Sequence, residues 1–334
     1  MRGALRFVLF FVLIYTAQVS AQEKIVFTYF SVQHSELRAG YTDDNFTSVH
    51  DLGSRNTFLP VWTDIGVVFC GENFIWRTDA NGESLLKVGN GYKPTPSPSG
   101  KYFAYYAPGG IQIRKSDGTP VKLVEVDFWD DVSITWFADE SGIAFFSGEK
   151  QSGIGFNLGT DSIFQIGAMV IQPVWSGSGD RFLYNAPIEN ENFGIFLGKG
   201  FSVSDYDTLL TDPGKNSLIP VWDDDAVSFY FVELLPDSLQ DSPGSLMKGW
   251  LKRYSFATNE ITVIDSSAAF TDNVYPQFTI SRSTGKLYYT HLDKTGFGKI
   301  AVYNKKTGTT EIFGSDDFRN DFRFPGVYQS KPDK

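Results

Sequence analysis

Histidine is the commonest general base at neutral pH, and this chain of 334 residues has three, His34, His50 and His291. They are far apart in the sequence, and none stands in an H-x-H or H-E-x-x-H pattern that would hold a metal. Distant segments can converge in a folded ring, so a three-histidine site stays open as an alternative. The main expectation is a protein that binds no metal and no other cofactor.

Carboxylates are the second source of possible chemistry. Asp130, Asp131, Asp272 and Glu233 could supply the acid pair of a glycoside-cleaving enzyme. The chain has 39 acidic residues, however, so such pairs also arise by chance. The sequence WDDD at 222–225 lacks the D-x-[DN]-x-[DN]-G frame of a calcium loop, and we interpret it as a turn with an exposed acidic tip.

Cys70 is the only cysteine, so no internal disulfide can form. It ends the apolar run GVVFC at 66–70, which is typical of a strand. No histidine is near it in the sequence, and burial among apolar side chains raises the pKa of a thiol. We expect a buried, inert thiol.

A sequence repeat must position any site in this chain. Each copy is a short apolar run that ends in a tripeptide with Pro or an aromatic residue, followed by a Ser/Asp/Gly turn and a second strand. The copies are PVW at 60–62, PTP at 94–96, ITW at 134–136, PVW at 173–175, PVW at 220–222 and the weaker PQF at 276–278. They lie 34 to 56 residues apart, the period of a four-stranded propeller blade. The repeat predicts an all-β fold, a six-bladed β-propeller of four-stranded antiparallel blades.

The second copy shows how one blade is built. Runs rich in aromatic and β-branched residues follow at 101–106, 111–114 and 120–124. Glycines separate these runs, and glycine adopts the positive φ that tight turns require. A single blade would leave both apolar faces and its edges exposed, so we expect the blades to stack around a ring.

Two of the copies resemble a known repeat. WSGSGDRFLY at 175–184 and PSPSGKYFAY at 96–105 resemble the PD40, or WD40-like, repeat of TolB-like six-bladed propellers, whose consensus is close to P-x-W-S-P-D-G-K-x-I-A-F. The resemblance covers nearly the whole chain after its first residues. It implies the architecture and leaves several functions open, because similar propellers are periplasmic binding proteins, gating domains of serine peptidases, and lyases or hydrolases that act on sugars.

The chain differs from two kinds of protein that contain such propellers. TolB has an α/β domain before its propeller, and we expect the ~35 residues between the signal peptide and the first blade to be too few to build one. A peptidase of the prolyl-oligopeptidase type needs a G-x-S-x-G motif, which this sequence lacks.

The first 21 residues have the three parts of a secretory signal peptide. Arg2 and Arg6 precede an apolar stretch at 7–15, and the small residues at 19–21 suit signal peptidase. We therefore expect a periplasmic or secreted protein. No later segment approaches the ~20 apolar residues of a transmembrane helix, so no membrane insertion is expected after signal removal.

The charge of the chain excludes one class of partner. Its formal net charge is −10, and no run of consecutive basic residues is longer than a pair such as Lys305-Lys306. Nucleic acid requires a basic surface, so we do not expect it as a partner.

These features divide the chain into four predicted segments. They are a signal peptide at 1–21, an N-terminal strand and connecting segment at 22–56, the six-bladed propeller at 57–325 and a C-terminal tail at 326–334. We expect the strand at 24–30 either to pair with the last blade or to cap the ring.

Blade topology places the connections on two faces. The turns from the first to the second strand and from the third to the fourth lie on one face, which we call the turn face. The other connections form the loop face, which carries the longest loops, at 235–249 and 188–193, and is the expected place for recognition at the channel mouth. The candidate ligand-binding residues there are Arg55, Tyr92, Lys93, Trp129, Asp130, Asp131, Asn216, Trp250, Asp272 and Tyr275.

Six of the seven tryptophans divide into two sets. Trp129 and Trp250 stand outside the repeat and suit a surface role. The others occupy the same place in successive copies, which is typical of packing, and they are Trp62, Trp136, Trp175 and Trp222.

The expected function is an exported, non-enzymatic binding scaffold for a protein or peptide partner in the cell envelope, with an envelope glycan as the second ligand class. The alternative is a propeller enzyme, a carbohydrate lyase or hydrolase or a lactonase, that uses acidic residues and His291 at the channel.

Overall fold

The computed structural model of the chain is an all-β fold, as the repeat predicts. Apart from one short 3₁₀ turn at Glu189–Glu191, the regular elements among the described residues are strands. Within the same residues, no helix is long and apolar enough to cross a membrane. The structure describes residues 24–31, 35–43, 46, 48–53, 56–130, 132–224, 226–234, 247–270, 278–281, 283–294, 296–313 and 322–327.

The strands pair antiparallel with their neighbours in six sheets. Five sheets have four strands each, and the sixth has eight. The eight strands are two four-stranded groups joined at one residue pair, Ala268 and His291. The described residues thus form seven four-stranded units, which we number along the chain.

The bounds of the strands follow the chain order. Units 1 to 4 contain β1 (Lys24–Ser31), β2 (Glu36–Asp43), β3 (His50–Asp51) and β28 (Phe322–Val327); β4 (Thr57–Thr63), β5 (Gly66–Gly71), β6 (Phe74–Thr78) and β7 (Leu86–Asn90); β8 (Tyr92–Pro96), β9 (Tyr102–Ala107), β10 (Gly110–Lys115) and β11 (Pro120–Val124); β12 (Thr135–Trp136), β13 (Gly142–Ser147), β14 (Ser152–Asn157) and β15 (Ser162–Ala168). Units 5 to 7 contain β16 (Ile171–Trp175), β17 (Arg181–Pro187), β18 (Phe193–Lys199) and β19 (Ser202–Leu210); β20 (Asn216–Trp222), β21 (Ser228–Leu234), β22 (Met247–Ser255) and β23 (Glu260–Phe270); β24 (Phe278–Ile280), β25 (Lys286–Leu292), β26 (Gly298–Asn304) and β27 (Thr309–Phe313).

The predicted count of six blades is not confirmed, because the repeat identifies only units 2 to 7. Unit 1 takes β1, β2 and β3 from the N-terminal segment and β28 from the other end of the chain. Its first strand, β28, has the sequence FRFPGV and does not match the repeat. A search for the Pro-x-Trp pattern therefore cannot find this unit.

The ring closes within unit 1. One edge of β1 pairs with β2 and the other with β28, so strands from both ends of the chain share one sheet. β28 also packs against β24, β25 and β26 of unit 7 and against β4 of unit 2. The prediction that the N-terminal strand pairs with the last blade is not met, because β1 pairs with β2 and with the C-terminal strand β28 in a sheet separate from unit 7. Unit 1 therefore combines strands of the predicted N-terminal segment at 22–56 with β28, which crosses the predicted boundary at 325/326.

The repeated tryptophans pack between units, as predicted. Trp62, Trp136 and Trp175 are 7% exposed and Trp222 is 8% exposed. The indole N–H of Trp136 donates to the Thr95 carbonyl at 3.1 Å. That of Trp222 donates to the Val174 carbonyl of the preceding unit at 2.8 Å. A large apolar ring with one satisfied donor suits this packing position.

A backbone irregularity recurs directly before the prolines of the repeat. Leu59, Lys93, Gln172 and Ile219 have φ between 50° and 56°, and the strand register shifts beside each of them. A non-glycine residue in this region costs of order 1–3 kcal/mol unless its surroundings hold it there. The four first strands therefore contain strained bulges.

Side chains of the preceding unit hold these bulges. The Leu59 N–H donates to Thr28 Oγ1 at 3.0 Å, and the Ile219 N–H donates to Asn185 Oδ1 at 3.1 Å. Thr28 and Asn185 both lie on the second strand of the unit before the bulge. Each contact satisfies a buried N–H that the shifted register removes from the sheet.

Cys70 lies at the corresponding position on β5, the second strand of unit 2, and supports the bulge at Lys93 of unit 3. The prediction of a buried thiol is confirmed, since Cys70 is 1% exposed and its thiol donates to the Phe58 carbonyl at 3.3 Å. Burial raises the pKa of the thiol to about 12, although a hydrogen bond from the Lys93 backbone opposes that rise. The thiol is thus another side chain that supports the next unit.

Replacing Thr28 with Val tests the bulge contact. Because the Leu59 N–H would stay buried without its acceptor, we expect the free energy of unfolding to fall by ~1–3 kcal/mol. Thr42→Val is the matched control in the same sheet, since Thr42 is fully buried and its hydroxyl has no hydrogen-bond partner among the described residues. Urea unfolding of both variants measures the difference, and equal stabilities would contradict the bulge-holding role.

Candidate functional site

Six of the ten predicted site residues lie in the described part of the chain. Tyr92, Lys93, Trp129 and Asp130 come together between units 3 and 4. Asn216 begins unit 6 at its junction with unit 5, and Trp250 lies on β22 of unit 6. The remaining candidates and the centre of the long loop lie outside the described residues, and these are Arg55, Asp131, Asp272, Tyr275 and 235–246.

The first group lies partly on the segment that precedes β12. Among the strands that begin a unit in the described residues, β12 is the shortest. β12 contains only Thr135 and Trp136, and the residues at 125–130 lie outside the sheets as a loop. The Trp129 N–H still donates to the Phe146 carbonyl at 2.8 Å. The Asp127 carboxylate accepts from the Ser147 hydroxyl at 3.1 Å. These bonds anchor the loop at the end of β13.

Side chains at the start of β8 hold the tip of that loop. The Tyr92 hydroxyl donates to Asp130 Oδ2 at 2.8 Å, and Lys93 Nζ donates to the Asp130 carbonyl. Two segments about forty positions apart in the sequence thus meet on the loop face. We call Tyr92, Lys93, Trp129 and Asp130 the Trp129 cluster.

Aromatic rings pack under and beside the Trp129 cluster. Tyr106 stacks on Phe128 with ring centroids 4.5 Å apart, and its hydroxyl donates to the Val132 carbonyl at 2.6 Å. The Trp129 ring lies 5.6 Å from that of Phe146, yet Trp129 remains 40% exposed. A large aromatic side chain on a fixed backbone can bind a partner with little loss of conformational entropy.

The second group is built around a buried ion pair. Lys252 Nζ lies 2.5 Å from Glu233 Oε1, and the two side chains are 7% and 11% exposed. The same ammonium lies 4.6 Å from the centroid of the Trp250 ring. Asn216 Oδ1 accepts from the Phe193 N–H of unit 5 at 3.0 Å. Glu233 is therefore paired with a lysine, and the structure gives no support for its use in an acid pair with Asp130.

Lys252 is the residue that the sequence reasoning missed. It is buried, which is rare for lysine unless it is paired. A signal was present, because residues two apart on a strand share a face and Lys252 follows Trp250 by two. The partner Glu233 depends on the register between β21 and β22, which the sequence does not show.

The histidines that could support an enzyme lie in different surroundings. His291 Nδ1 is 2.7 Å from Asp265 Oδ2, beside the residue pair that joins units 6 and 7. Burial raises the pKa of Asp265, but hydrogen bonds from His291 and the Ser267 N–H outweigh it, so this pKa lies below its ordinary value. His50 lies in unit 1, with its ring stacked on Tyr41 at 4.8 Å. His34 is outside the described residues.

The described residues do not form a candidate metal site. Within the described ranges, no group of three or more His, Cys, Asp or Glu side chains could hold a metal ion.

The turn face joins units to one another. Asp223 is 3% exposed, so the interpretation of its turn as an exposed acidic tip is wrong for this residue. Its carboxylate accepts from Lys305 Nζ of unit 7 and lies 3.3 Å from Arg253 Nε. The lysine is supplied by another unit, so the sequence around the turn gave no sign of this burial. Asp224 on the same turn is exposed.

Comparisons with known proteins identify the fold. No family model and no curated protein matches the sequence. Among solved structures, the chain is similar to TolB from Acinetobacter baumannii, with 11% identity, a TM-score of 0.55 and coverage of 92% of this chain and 67% of that one. It is similar to an oligogalacturonate lyase in complex with manganese, with 14% identity, a TM-score of 0.58 and coverage of 89% and 86%. It is also similar to puromycin hydrolase, with 13% identity, a TM-score of 0.56 and coverage of 78% and 47%.

These similarities support a TolB-like propeller fold. Identities of 11% to 14% show the fold alone. The similar proteins include TolB, a lyase and a hydrolase, so the fold does not select one activity.

Proposed function

We propose that this protein is an exported, non-enzymatic binding scaffold that recognises a protein or peptide partner through the Trp129 cluster on its loop face. The observation that carries the proposal is Trp129 itself, 40% exposed on a loop that hydrogen bonds anchor to two units. Tryptophan is enriched among the residues that contribute most to protein interfaces.

The neighbours of Trp129 provide polar recognition beside the aromatic surface. Tyr92 and Lys93 orient Asp130 from the adjacent unit, so the cluster is organised before a partner binds. Preorganised polar groups reduce the entropy cost of binding. An extended peptide or a glycan offers both apolar surface and hydrogen-bonding groups to such a cluster, and a peptide is the ligand that we propose first.

Export and repeat type belong to the same proposal. The signal-like features at 1–21 lie outside the described residues, and they support a periplasmic or secreted location with a partner in the cell envelope. The segments at 96–105 and 175–184 support assignment of the repeats to the PD40 type. The net charge of −10 argues against nucleic acid as the partner.

Replacing Trp129 with Ala tests the proposed site. Partners captured from envelope extracts by the wild-type protein are identified, and their affinities for purified variants are then measured. We expect Trp129→Ala to weaken partner binding ~30-fold, as for an interface residue worth ~2 kcal/mol, with little change in stability.

A matched control is Tyr206→Ala, which removes a 53% exposed aromatic side chain from the outer strand of unit 5. We expect this variant to bind like the wild type. If Trp129→Ala retains wild-type affinity, the Trp129 cluster is not the binding site.

A propeller enzyme is the second candidate, and the contact between His291 and Asp265 favours it. A carboxylate at 2.7 Å from Nδ1 can orient an imidazole for general base catalysis. Turnover of a panel of glycans and lactones by the wild type and by Asp265→Asn tests this role. Turnover that falls at least tenfold in the variant would support the enzyme, and absence of turnover by the wild type would remove its support.

A further inference from the structure

Lys215, at the junction between units 5 and 6, makes two long contacts with acidic side chains. Lys215 Nζ lies 3.5 Å from Asp212 Oδ2 and 3.9 Å from Glu233 Oε2. Both distances exceed the usual length of a charge-assisted hydrogen bond, ~2.7–2.9 Å. The Lys215 side chain is 49% exposed. Its ammonium can therefore approach a further acceptor from solution.

The two nearby carboxylates are already engaged elsewhere. Glu233 pairs with the buried Lys252 at 2.5 Å, so its charge is balanced without Lys215. Asp212 Oδ1 accepts from the Gly214 N–H at 2.9 Å within its own turn. That hydrogen bond is the main reason why the pKa of Asp212 lies below its ordinary value. An added carboxylate would compete only with the 3.5 Å and 3.9 Å contacts of the Lys215 ammonium, the first of which also helps to lower the pKa of Asp212.

Asn216 adds neutral donors next to this ammonium. Its Oδ1 accepts from the Phe193 N–H at 3.0 Å, which fixes the orientation of the amide. The Nδ2 group carries two donors and has no acceptor among the described residues. An ammonium and a fixed amide on consecutive residues provide complementary donors for the two oxygens of a carboxylate.

An aromatic ring lies beside the ion pair of Glu233 and Lys252 in unit 6. Trp250 and Glu233 are opposite each other on β22 and β21, and Lys252 Nζ approaches the Trp250 ring at 4.6 Å. The contact restrains the half-buried indole. A restrained ring offers apolar surface to the chain that carries a carboxylate.

We propose that Lys215, Asn216 and Trp250 form an anion subsite on the loop face that binds an acidic peptide segment. Lys215 and Asn216 bind a Glu or Asp carboxylate of that segment, and Trp250 contacts its aliphatic part. The chain as a whole carries a net charge of −10, which repels an acidic segment at long range. Binding is therefore strongest at an ionic strength whose Debye length is only slightly longer than the contact distance, because the salt then screens the long-range repulsion more than the contact itself. The subsite does not depend on the Trp129 cluster.

Fluorescence anisotropy with a labelled, acetylated and amidated tetraglutamate peptide tests the anion subsite on the full chain. Tetraglutamine of the same length is the neutral probe. We expect the wild type to bind tetraglutamate more tightly, and Lys215→Glu to weaken that binding at least ~10-fold because attraction becomes repulsion. Asn216→Ala should weaken it less, with the fold verified by circular dichroism.

Lys101→Glu is the charge-matched control, since Lys101 is exposed on the turn face. We expect it to bind tetraglutamate like the wild type. Equal binding of the two peptides by the wild type, or equal affinities of Lys215→Glu and Lys101→Glu, would overturn the subsite. Loss of binding in Trp129→Ala but not in Lys215→Glu would also overturn it and assign the acidic segment to the Trp129 cluster. If Lys215→Glu alone weakens binding while Trp129→Ala affects no partner, the subsite stands and the proposed function fails.

Discussion

Deletion of residues 314–334 is expected to abolish cooperative unfolding of the propeller. The deletion removes β28, which pairs with β1 and packs against units 7 and 2. Ile25 and Phe27 of β1 are fully buried in one cluster with Tyr288 and Ile300 of unit 7. Loss of the strand that covers this junction would cost more than ~5 kcal/mol, which is comparable to the whole stability of many domains.

Thermal unfolding followed by near-ultraviolet circular dichroism measures this effect. Deletion of residues 328–334 is the control, because it ends the chain after β28. We expect the shorter deletion to melt like the wild type and the longer one to lose its sharp transition. A sharp transition at the wild-type temperature in both would show that β28 does not close the ring.

Replacement of Asp223 with Ala is expected to lower the free energy of unfolding by ~3 kcal/mol at neutral pH, because it leaves two cations without their buried partner. The Asp223 side chain is 1% exposed, and it accepts from Lys305 of the neighbouring unit and contacts Arg253. Asp224→Ala is the control. The Asp224 side chain is 34% exposed and its ion pair with Lys305, at 3.1 Å, is close to solvent, so its loss should cost less than ~1 kcal/mol.

The cost of Asp223→Ala should depend on pH in a defined direction. Burial raises the pKa of Asp223, but the hydrogen bond and charge of Lys305 outweigh it, and the pKa lies below its ordinary value. The stabilisation is therefore complete above the unfolded-state pKa of ~3.9 and is lost as the pH falls through the lower folded value. Urea unfolding between pH 7 and pH 3 should show the difference between the two proteins narrow below about pH 4. A difference that stays constant with pH would exclude the charged carboxylate as its cause.

The sequence predicts the repeated part of the fold well, because the same pattern of buried residues and turn residues recurs in several copies. Trp62 and Trp222 are buried as expected, since each occupies the same packing position. Unit 1 escapes the pattern because its first strand comes from the far end of the chain. The bulge at Leu59 also escapes it, because its positive φ depends on Thr28 of another unit rather than on a local glycine.

The candidate site is predictable in position and much less so in its contacts. Trp129 and Asp130 attract notice because they interrupt the repeat, and they do lie beside Tyr92. Their meeting requires only that consecutive units are neighbours. The pairing of Glu233 with Lys252 is different, because it depends on strand register and on a buried position for a lysine. Such contacts are not encoded in the spacing of a sequence motif.

The bulges have a consequence for how such a ring can change through recombination. At Leu59, Lys93 and Ile219, the strained strand of one unit relies on a side chain of the unit before it. Thr28, Cys70 and Asn185 are chemically different, so each of these three junctions has its own matched pair. A unit excised or duplicated as a cassette would meet a neighbour with the wrong partner. Exchange of a unit at one of these junctions therefore requires compensating changes on both of its sides.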